Sequence, residues 1–78
     1  MQIRTSASKH GVAHDDIRHA IRHPIVYLEE DYQGEQQVFI IGPAQDGRFL
    51  EIVAKPSPGP TKIIHADELR PHLYHLIP

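Results

Sequence analysis

The chain has 78 residues, 40% of them hydrophobic, and its eight Lys and Arg against ten Asp and Glu give a formal charge of −2. This length predicts a single domain over residues 1–78, and the acidic balance excludes a strongly basic nucleic-acid binder. Because cysteine is absent, disulfides and thiolate zinc sites are excluded. The sequence shows neither a signal-peptide pattern nor an apolar run of about 20 residues, so we expect a cytoplasmic protein that does not contact a membrane.

The N-terminal residues predict a short strand and one helical turn. Residues 2–5 are compatible with an edge strand. Residues 6–11 predict a helical turn, with Ser6 as its N-terminal cap and Gly11 in the left-handed conformation that ends it.

A regular helix is predicted over residues 14–22 and is stopped by Pro24. One face of this helix is apolar, and the opposite face carries a basic stripe at i, i+4 spacing, formed by His14, Arg18 and Arg22. The stripe has two interpretations: a phosphate-binding surface or an ordinary solvated helix face.

Two apolar runs in the middle of the chain, residues 38–41 and 49–54, are rich in β-branched and aromatic side chains. The loop between them contains glycine, proline and aspartate, so the pattern predicts an antiparallel pair of strands. Every second residue from Leu50 to Ala54 is apolar, which predicts a sheet with one buried face. Arg48 follows the loop, where a rigid strand would hold a cation open to solvent.

The predicted strands number four, at residues 25–29, 37–42, 48–55 and 61–65. The C-terminal residues predict a helix that starts at Asp67 or Arg70, with Pro71 in its first turn, where a missing N–H is harmless. The predicted fold class is α+β: a small, mostly antiparallel four-stranded sheet with N-terminal helices and a C-terminal helix packed on it.

Seven histidines occur in the chain, and two pairs have a spacing at which both imidazoles reach one metal ion: His19 with His23 and His72 with His75. Neither pair has a third ligand at a diagnostic spacing. The sequence also lacks a phosphate-binding loop, a nucleophile elbow and a dinucleotide fingerprint. We therefore expect no metal and no cofactor.

A series of short motifs occurs in order along nearly the whole chain. They are Lys9-His10-Gly11-Val12, His23-Pro24, Gly34-Glu35, Ile41-Gly42, Gly47-Arg48, Lys62-Ile63-Ile64 before Ala66, and Tyr74. In this order they resemble the BrnT toxin family of bacterial type II toxin-antitoxin modules, which is similar in fold to the RelE-type ribonuclease toxins. The resemblance implies a RelE-like fold, metal-independent cleavage of messenger RNA that inhibits growth, and neutralisation by a cognate antitoxin in a hetero-oligomer.

The fourth predicted strand departs from the family pattern. The family usually continues Arg-Ile-Ile-Ser-Ala-Arg, whereas residues 62–67 read Lys-Ile-Ile-His-Ala-Asp, so Asp67 replaces a phosphate-binding arginine. His65 and Arg70 lie close by in the sequence, and the site is either rebuilt around them or no longer catalytic. In the second case the protein is a non-catalytic protein-interaction module of the same fold.

RNA cleavage without a metal needs a base for the 2′-hydroxyl, an acid for the leaving 5′-oxygen and cations for the phosphorane charge. Histidine suits proton transfer near neutral pH, and arginine suits phosphate binding. We therefore assign proton transfer to His65 or His10. Phosphate binding is assigned to Arg48 with Lys62 or Arg70, a cationic cluster that the antitoxin would cover.

Further contacts to RNA phosphates are assigned to a basic set, Lys9, Arg18 and Arg22. Tyr74 is assigned to stacking or a hydrogen bond with RNA. The main assignments each have a structural alternative. Tyr74 can pack the C-terminal helix on the sheet, Arg48 can be a surface loop charge, and His65 can be a solvent-facing strand residue.

Overall fold

The chain folds into an α+β structure built on one five-stranded mixed sheet, and the computed structural model describes all of residues 1–78. The strands are β1 (Gln2–Ile3), β2 (Val26–Tyr32), β3 (Glu35–Pro43), β4 (Phe49–Lys55) and β5 (Lys62–Glu68). The helical segments are an N-terminal 3-10 helix (Thr5–Ser8), the helix α1 (His14–Arg22) and a C-terminal 3-10 helix (Pro71–Leu76). None of these helices is long and apolar enough to span a lipid bilayer.

The strands lie in the order β1-β5-β4-β3-β2, and every neighbouring pair is antiparallel except β1 with β5. The predicted α+β class is confirmed. The predicted number of four strands is wrong, because the N-terminal edge strand joins the sheet as a fifth, parallel strand, with Ile3 opposite Ile63.

Two of the predicted strands, 25–29 and 37–42, are longer in the structure and are joined by a tight hairpin turn. Gln33 and Gly34 have φ angles of 52° and 82°, the conformation that two-residue hairpin loops favour. The Gly34 N–H also donates a hydrogen bond to the Asp31 carboxylate at 3.0 Å. This turn places the acidic end of β2 at an open edge of the sheet.

A register shift in the β4–β5 pair decides which way the side chains of β5 point. Val53 pairs with His65, and the next residue of β4, Ala54, pairs with Ile63, so Ile64 has no partner. In a regular strand His65 and Ile63 would share one face, because side chains alternate. The bulge instead buries Ile63 among the core residues under α1 and places His65 on the opposite face of the sheet.

The first face of the sheet, which packs against α1 and the N-terminal 3-10 helix, holds the main core. The alternating residues from Leu50 to Ala54 are fully buried there, as predicted. The buried apolar side chains of this core are Ala7, Ile17, Ala20, Val38, Ile40, Ala44, Leu50, Ile52, Ala54, Ile63 and Ala66. At the contact of α1 with β3, a Cβ on Gly42 would lie 2.2 Å from the Ala20 carbonyl oxygen, so only glycine fits.

The second face of the sheet is covered only in part, by the C-terminal residues. Phe39, Ile41 and Leu69 are buried there against apolar side chains of the C-terminal 3-10 helix. The prediction of a single buried face is wrong, because Glu51 and Gln37 on this second face are only 1% and 5% exposed. A carboxylate buried to this extent needs hydrogen-bond partners.

The C-terminal helix does not begin at Asp67, the earlier of its two predicted starts. Asp67 belongs to β5, and the Leu69 N–H donates to the Phe49 carbonyl oxygen at 2.9 Å, which prolongs the contact between β4 and β5. The start at Asp67 is therefore wrong, and the start after Arg70 is confirmed. Pro71 occupies the first turn, as predicted, but the segment is a 3-10 helix.

The N-terminal turn differs from its prediction at one residue. Gly11 has a φ angle of 75°, as predicted for the residue that ends the turn. Ser6 lies inside the 3-10 helix and does not cap it, since its hydroxyl donates to the Ile64 carbonyl oxygen at 2.7 Å. Because Ile64 lies at the bulge of β5, this bond holds the segment that carries His10 beside that strand.

Candidate functional site

A buried carboxylate is the centre of the candidate site. Glu51 accepts hydrogen bonds from three nitrogens of Arg70: the backbone N–H at 3.0 Å, Nε at 2.9 Å and Nη2 at 2.8 Å. It is also bonded to His65 Nε2 at 3.1 Å. Burial raises the pKa of Glu51, but the hydrogen bonds from Arg70 and His65 outweigh it and hold the pKa below its ordinary value. Glu51 is therefore ionised at neutral pH.

An ionised Glu51 fixes the tautomer of His65. A carboxylate only accepts hydrogen bonds, so Nε2 of His65 carries a proton, and Nδ1 keeps its lone pair whenever the imidazole is neutral. The His65 side chain is 26% exposed. The ring is thus oriented by a buried group and still reachable from solvent.

A second imidazole lies beside the first. The rings of His10 and His65 meet edge to face, with their centroids 5.5 Å apart. Nδ1 of His10 lies 3.6 Å from a carboxylate oxygen of Asp67, so a protonated His10 forms an ion pair with it. Two histidine–carboxylate pairs therefore stand next to each other along β5.

The site opens onto a cleft of about 580 Å³ on the second face of the sheet. The apolar side chains that line it are Leu28, Tyr32, Phe39, Val53, Ile64, Leu73 and Leu76. The polar side chains that line it are Glu30, Gln37, Glu51, His65, Arg70 and His72. The Arg70 side chain is 54% exposed, so its guanidinium keeps N–H donors for a ligand in addition to those bound to Glu51.

The structure brings together three of the site residues predicted from the sequence, His65, His10 and Arg70. Glu51 joins His65 to Arg70 and is not among the predicted site residues, because the alternation in β4 predicts only one buried face and leaves Glu51 on the other. A signal was present in the sequence: an acidic residue inside an otherwise apolar strand needs a partner if the strand is central.

Arg48 lies apart from this group, so the prediction that it shares a site with His65 is wrong. Its Nε donates to an Asp46 carboxylate oxygen at 2.7 Å, while Glu68 and Asp16 lie 3.6 Å and 3.8 Å from its other nitrogens. The hydrogen bond and the charge of Asp46 raise the pKa of Arg48. With three carboxylates around it, Arg48 fits the alternative interpretation of a surface charge.

Lys62 also lies apart, at the opposite end of β5 from the arginines. It is paired across the sheet with Lys55. The length of β5 from Lys62 to Glu68 corresponds to about 20 Å at the usual rise per residue. The predicted cationic cluster of Arg48, Lys62 and Arg70 is therefore not formed.

The remaining predicted RNA contacts lie at the surface. Lys9 is exposed and precedes His10 in the chain. Arg18 and Arg22 are exposed on α1, which covers the first face of the sheet, so they do not border the cleft on the second face. Tyr74 is 54% exposed, and the C-terminal side chains that pack on the second core are Leu73, Leu76 and Ile77.

In each of the two histidine pairs considered as metal ligands, one imidazole is bonded to a backbone carbonyl oxygen. Nδ1 of His19 lies 2.8 Å from the Pro43 carbonyl oxygen, although the His19 and His23 rings are 4.7 Å apart. Nδ1 of His75 lies 2.9 Å from the His72 carbonyl oxygen. No three histidine, aspartate or glutamate side chains are grouped so that they could hold a metal ion.

Comparisons with protein-family models, with curated proteins and with solved structures find no match. The resemblance to the BrnT family therefore rests on the short sequence motifs alone.

Proposed function

We propose that this protein is the toxin of a bacterial type II toxin-antitoxin module and that it cleaves messenger RNA in the cytoplasm without a metal ion. The observation that carries the proposal is the pair of imidazoles, His65 and His10, which lie 5.5 Å apart, with His65 lining the open cleft. Each imidazole has its own carboxylate, and Arg70 is bound to one of these carboxylates.

His65 acts as the general base. Glu51 holds the proton on Nε2, so the lone pair of Nδ1 accepts the proton of an RNA 2′-hydroxyl. The 2′-oxygen then forms a bond to the adjacent phosphorus, and the bond from phosphorus to the 5′-oxygen breaks. The carboxylate stabilises the imidazolium that forms, as in other base–orienter pairs.

His10 acts as the general acid. In its protonated form it is paired with Asp67, and it donates its proton to the leaving 5′-oxygen. The products are a 2′,3′-cyclic phosphate and a free 5′-hydroxyl, with one proton gained by His65 and one lost by His10. The exchange of a proton with water restores both groups.

Arg70 binds the phosphate on which the charge develops. Its Nε and Nη2 are bonded to Glu51, which fixes the plane of the guanidinium, and its other N–H groups are free to donate to phosphate oxygens. This arrangement supports the interpretation in which the site is rebuilt around His65 and Arg70. Asp67, which replaces the family's arginine, then serves His10 and not the phosphate.

The test is a cleavage assay with purified protein and single-stranded RNA in the presence of EDTA. We expect cleavage to persist, and His65→Ala and His10→Ala each to lower the rate by roughly 10²-fold or more. His23→Ala, which removes an exposed imidazole at the end of α1, is the matched control and leaves the rate unchanged. Loss of activity with EDTA and its return with a divalent ion would contradict the proposal.

The partner of this toxin is a cognate antitoxin. Because Arg48 and Lys62 lie far apart, they do not offer it one surface, and we expect the antitoxin to cover the cleft beside Arg70 and so block RNA directly. Expression of the chain alone should arrest bacterial growth and fragment transcripts, and co-expression of the neighbouring gene product should restore both. Normal growth with intact transcripts, in cells that contain the folded protein, would overturn the toxin assignment.

A second candidate function is a non-catalytic protein-interaction module. The outer edge of β2 has no neighbouring strand, and Tyr27, Leu28 and Tyr32 on this strand are 48%, 42% and 57% exposed. Such an edge can accept a strand from a partner. This candidate predicts a partner that binds wild type and His65→Ala equally, and no RNA cleavage by either.

A further inference from the structure

The far end of the cleft from His65 has a polar floor that the proposed cleavage does not use. Glu30 of β2 and Gln37 of β3 are opposite each other in the strand register. Nε2 of Gln37 donates to a carboxylate oxygen of Glu30 at 2.6 Å. Gln37 is only 5% exposed, and the apolar side chains of Leu28, Tyr32 and Phe39 line the same cleft.

This pair leaves over two acceptor oxygens, one on Gln37 and one on Glu30, and the second N–H of the Gln37 amide. The Gln37 amide directs its NH₂ group at Glu30, so its oxygen, together with the second Glu30 oxygen, has no hydrogen-bond partner within the chain. Every fully buried side-chain oxygen and nitrogen in the protein has a hydrogen-bond partner. Because the Gln37 oxygen has none, it is not fully buried, and it is accessible from the cleft that Gln37 lines. A ligand that pairs with both acceptor oxygens must therefore bring two adjacent donors.

We propose that this end of the cleft binds the guanine base of an RNA strand, an inference that rests on the proposed ribonuclease function. Guanine is the base whose Watson–Crick edge carries two adjacent donors, N1–H and the N2 amino group. Adenine and cytosine each place a ring acceptor beside their amino group, and uracil places its single N–H between two carbonyl oxygens. Unpaired bases in single-stranded RNA are read along this edge.

The walls and the position of the cleft also suit a nucleotide. Tyr32, which is 57% exposed, lines the cleft beside Glu30 and Gln37, and aromatic side chains are the usual stacking partners of unpaired bases. His65 and Gln37 are two strands apart and offset by two residues in the register, about 12 Å at normal strand spacing and rise. A base seated against Gln37 therefore belongs to a nucleotide close to the one whose 2′-hydroxyl faces His65.

The experiment compares guanosine 3′-monophosphate with inosine 3′-monophosphate, which lacks only the N2 amino group. Binding is measured by titration calorimetry, so the result does not depend on cleavage. We expect the guanosine nucleotide to bind about tenfold more tightly or better. Glu30→Gln, which keeps the shape but replaces an acceptor by an NH₂ group, should abolish this difference.

Glu29→Gln is the matched control, because Glu29 is the neighbouring acid on the same strand and does not line the cleft. It should retain the full preference for guanosine, and melting curves verify that both variants are folded. If both nucleotides bind equally, or neither binds, the guanine site is wrong.

A cleavage assay on oligonucleotides that contain one guanosine or one inosine separates this inference from the proposed function. Efficient cleavage of both with equal rates would leave the ribonuclease function intact and overturn the guanine site. Absence of cleavage, together with guanosine binding that depends on Glu30, would retain the guanine site and overturn the ribonuclease. Preferential cleavage beside guanosine that is lost in Glu30→Gln supports both.

Discussion

The two faces of the sheet differ in how completely they are covered. On the first face α1 and the N-terminal 3-10 helix close a core in which every buried side chain is apolar. On the second face the C-terminal 3-10 helix covers three buried apolar residues and leaves a cleft of about 580 Å³ beside it. The buried polar residues of the protein, Glu51 and Gln37, both lie on this second face.

This difference indicates that the first face supplies most of the stability, whereas the second face holds the groups that can bind a ligand. A small chain has little apolar surface to bury, so the closed face has to supply most of the stability. The second face can then hold charged and hydrogen-bonded groups that cost stability but can bind and react with a ligand. Substitutions on the two faces should therefore have different consequences.

Leu50→Asp should have the largest effect on stability. It places an unpaired charge at a fully buried position on the first face, at a cost of several kcal/mol, against a total stability of about 4–12 kcal/mol for a chain of this length. We expect an unfolded protein by circular dichroism. Leu28→Asp makes the same change on the second face, where the residue is 42% exposed, and this variant should remain folded. If both substitutions destabilised the protein equally, the proposed difference between the two faces would be wrong.

Gly42→Ala should be the next most damaging change. The added methyl group would lie 2.2 Å from the Ala20 carbonyl oxygen, and because both groups belong to the backbone of packed elements, the contact can be relieved only by moving α1 off the sheet. We expect a loss of about 3 kcal/mol in urea unfolding. In the control Gly59→Ala the new Cβ meets nothing within 4 Å, and an equally large loss there would point to a general effect of the substitution.

Glu51→Gln should cost less, about 2 kcal/mol at pH 7, because the shape and one acceptor oxygen are kept, while the new NH₂ group can no longer accept from the nitrogen donors beside it. The pKa of Glu51 is lower in the folded protein than its ordinary value of 4.5, so the unfolded chain takes up the proton first on acidification. The contribution of the ionised Glu51 carboxylate to stability is therefore complete above about pH 4.5, and it is lost as the pH falls through the folded-state pKa of Glu51. Urea unfolding at decreasing pH should show that the difference in the free energy of unfolding between wild type and variant becomes smaller. A difference that stays constant would mean that the carboxylate charge is not its cause.

The sequence predicted the closed face better than the open one, for physical reasons. The burial of residues from Leu50 to Ala54 follows from a local alternation of apolar side chains, which is visible in the sequence. The position of His65 depends on the bulge at Ile64, and the grouping of His65 with His10 depends on how a distant segment is anchored to β5. Nothing in the local pattern encodes such contacts. The sequence therefore indicated His65, His10 and Arg70 as candidates by residue type, but not the role of Glu51 or the true neighbours of Arg48.

Arg48→Ala should have the smallest effect of these changes on stability. Its charge is balanced by Asp46, Glu68 and Asp16, but the Arg48 side chain is 48% exposed, and exposed ion pairs contribute little and are screened by salt. We expect a slight decrease in melting temperature at low salt that disappears in about 1 M NaCl. RNA cleavage should be unchanged in Arg48→Ala and strongly reduced in Arg70→Ala, because only Arg70 borders the cleft. A loss of cleavage in Arg48→Ala, in protein with an unchanged melting temperature, would return Arg48 to the catalytic site and contradict the assignment of the chemistry to the second face.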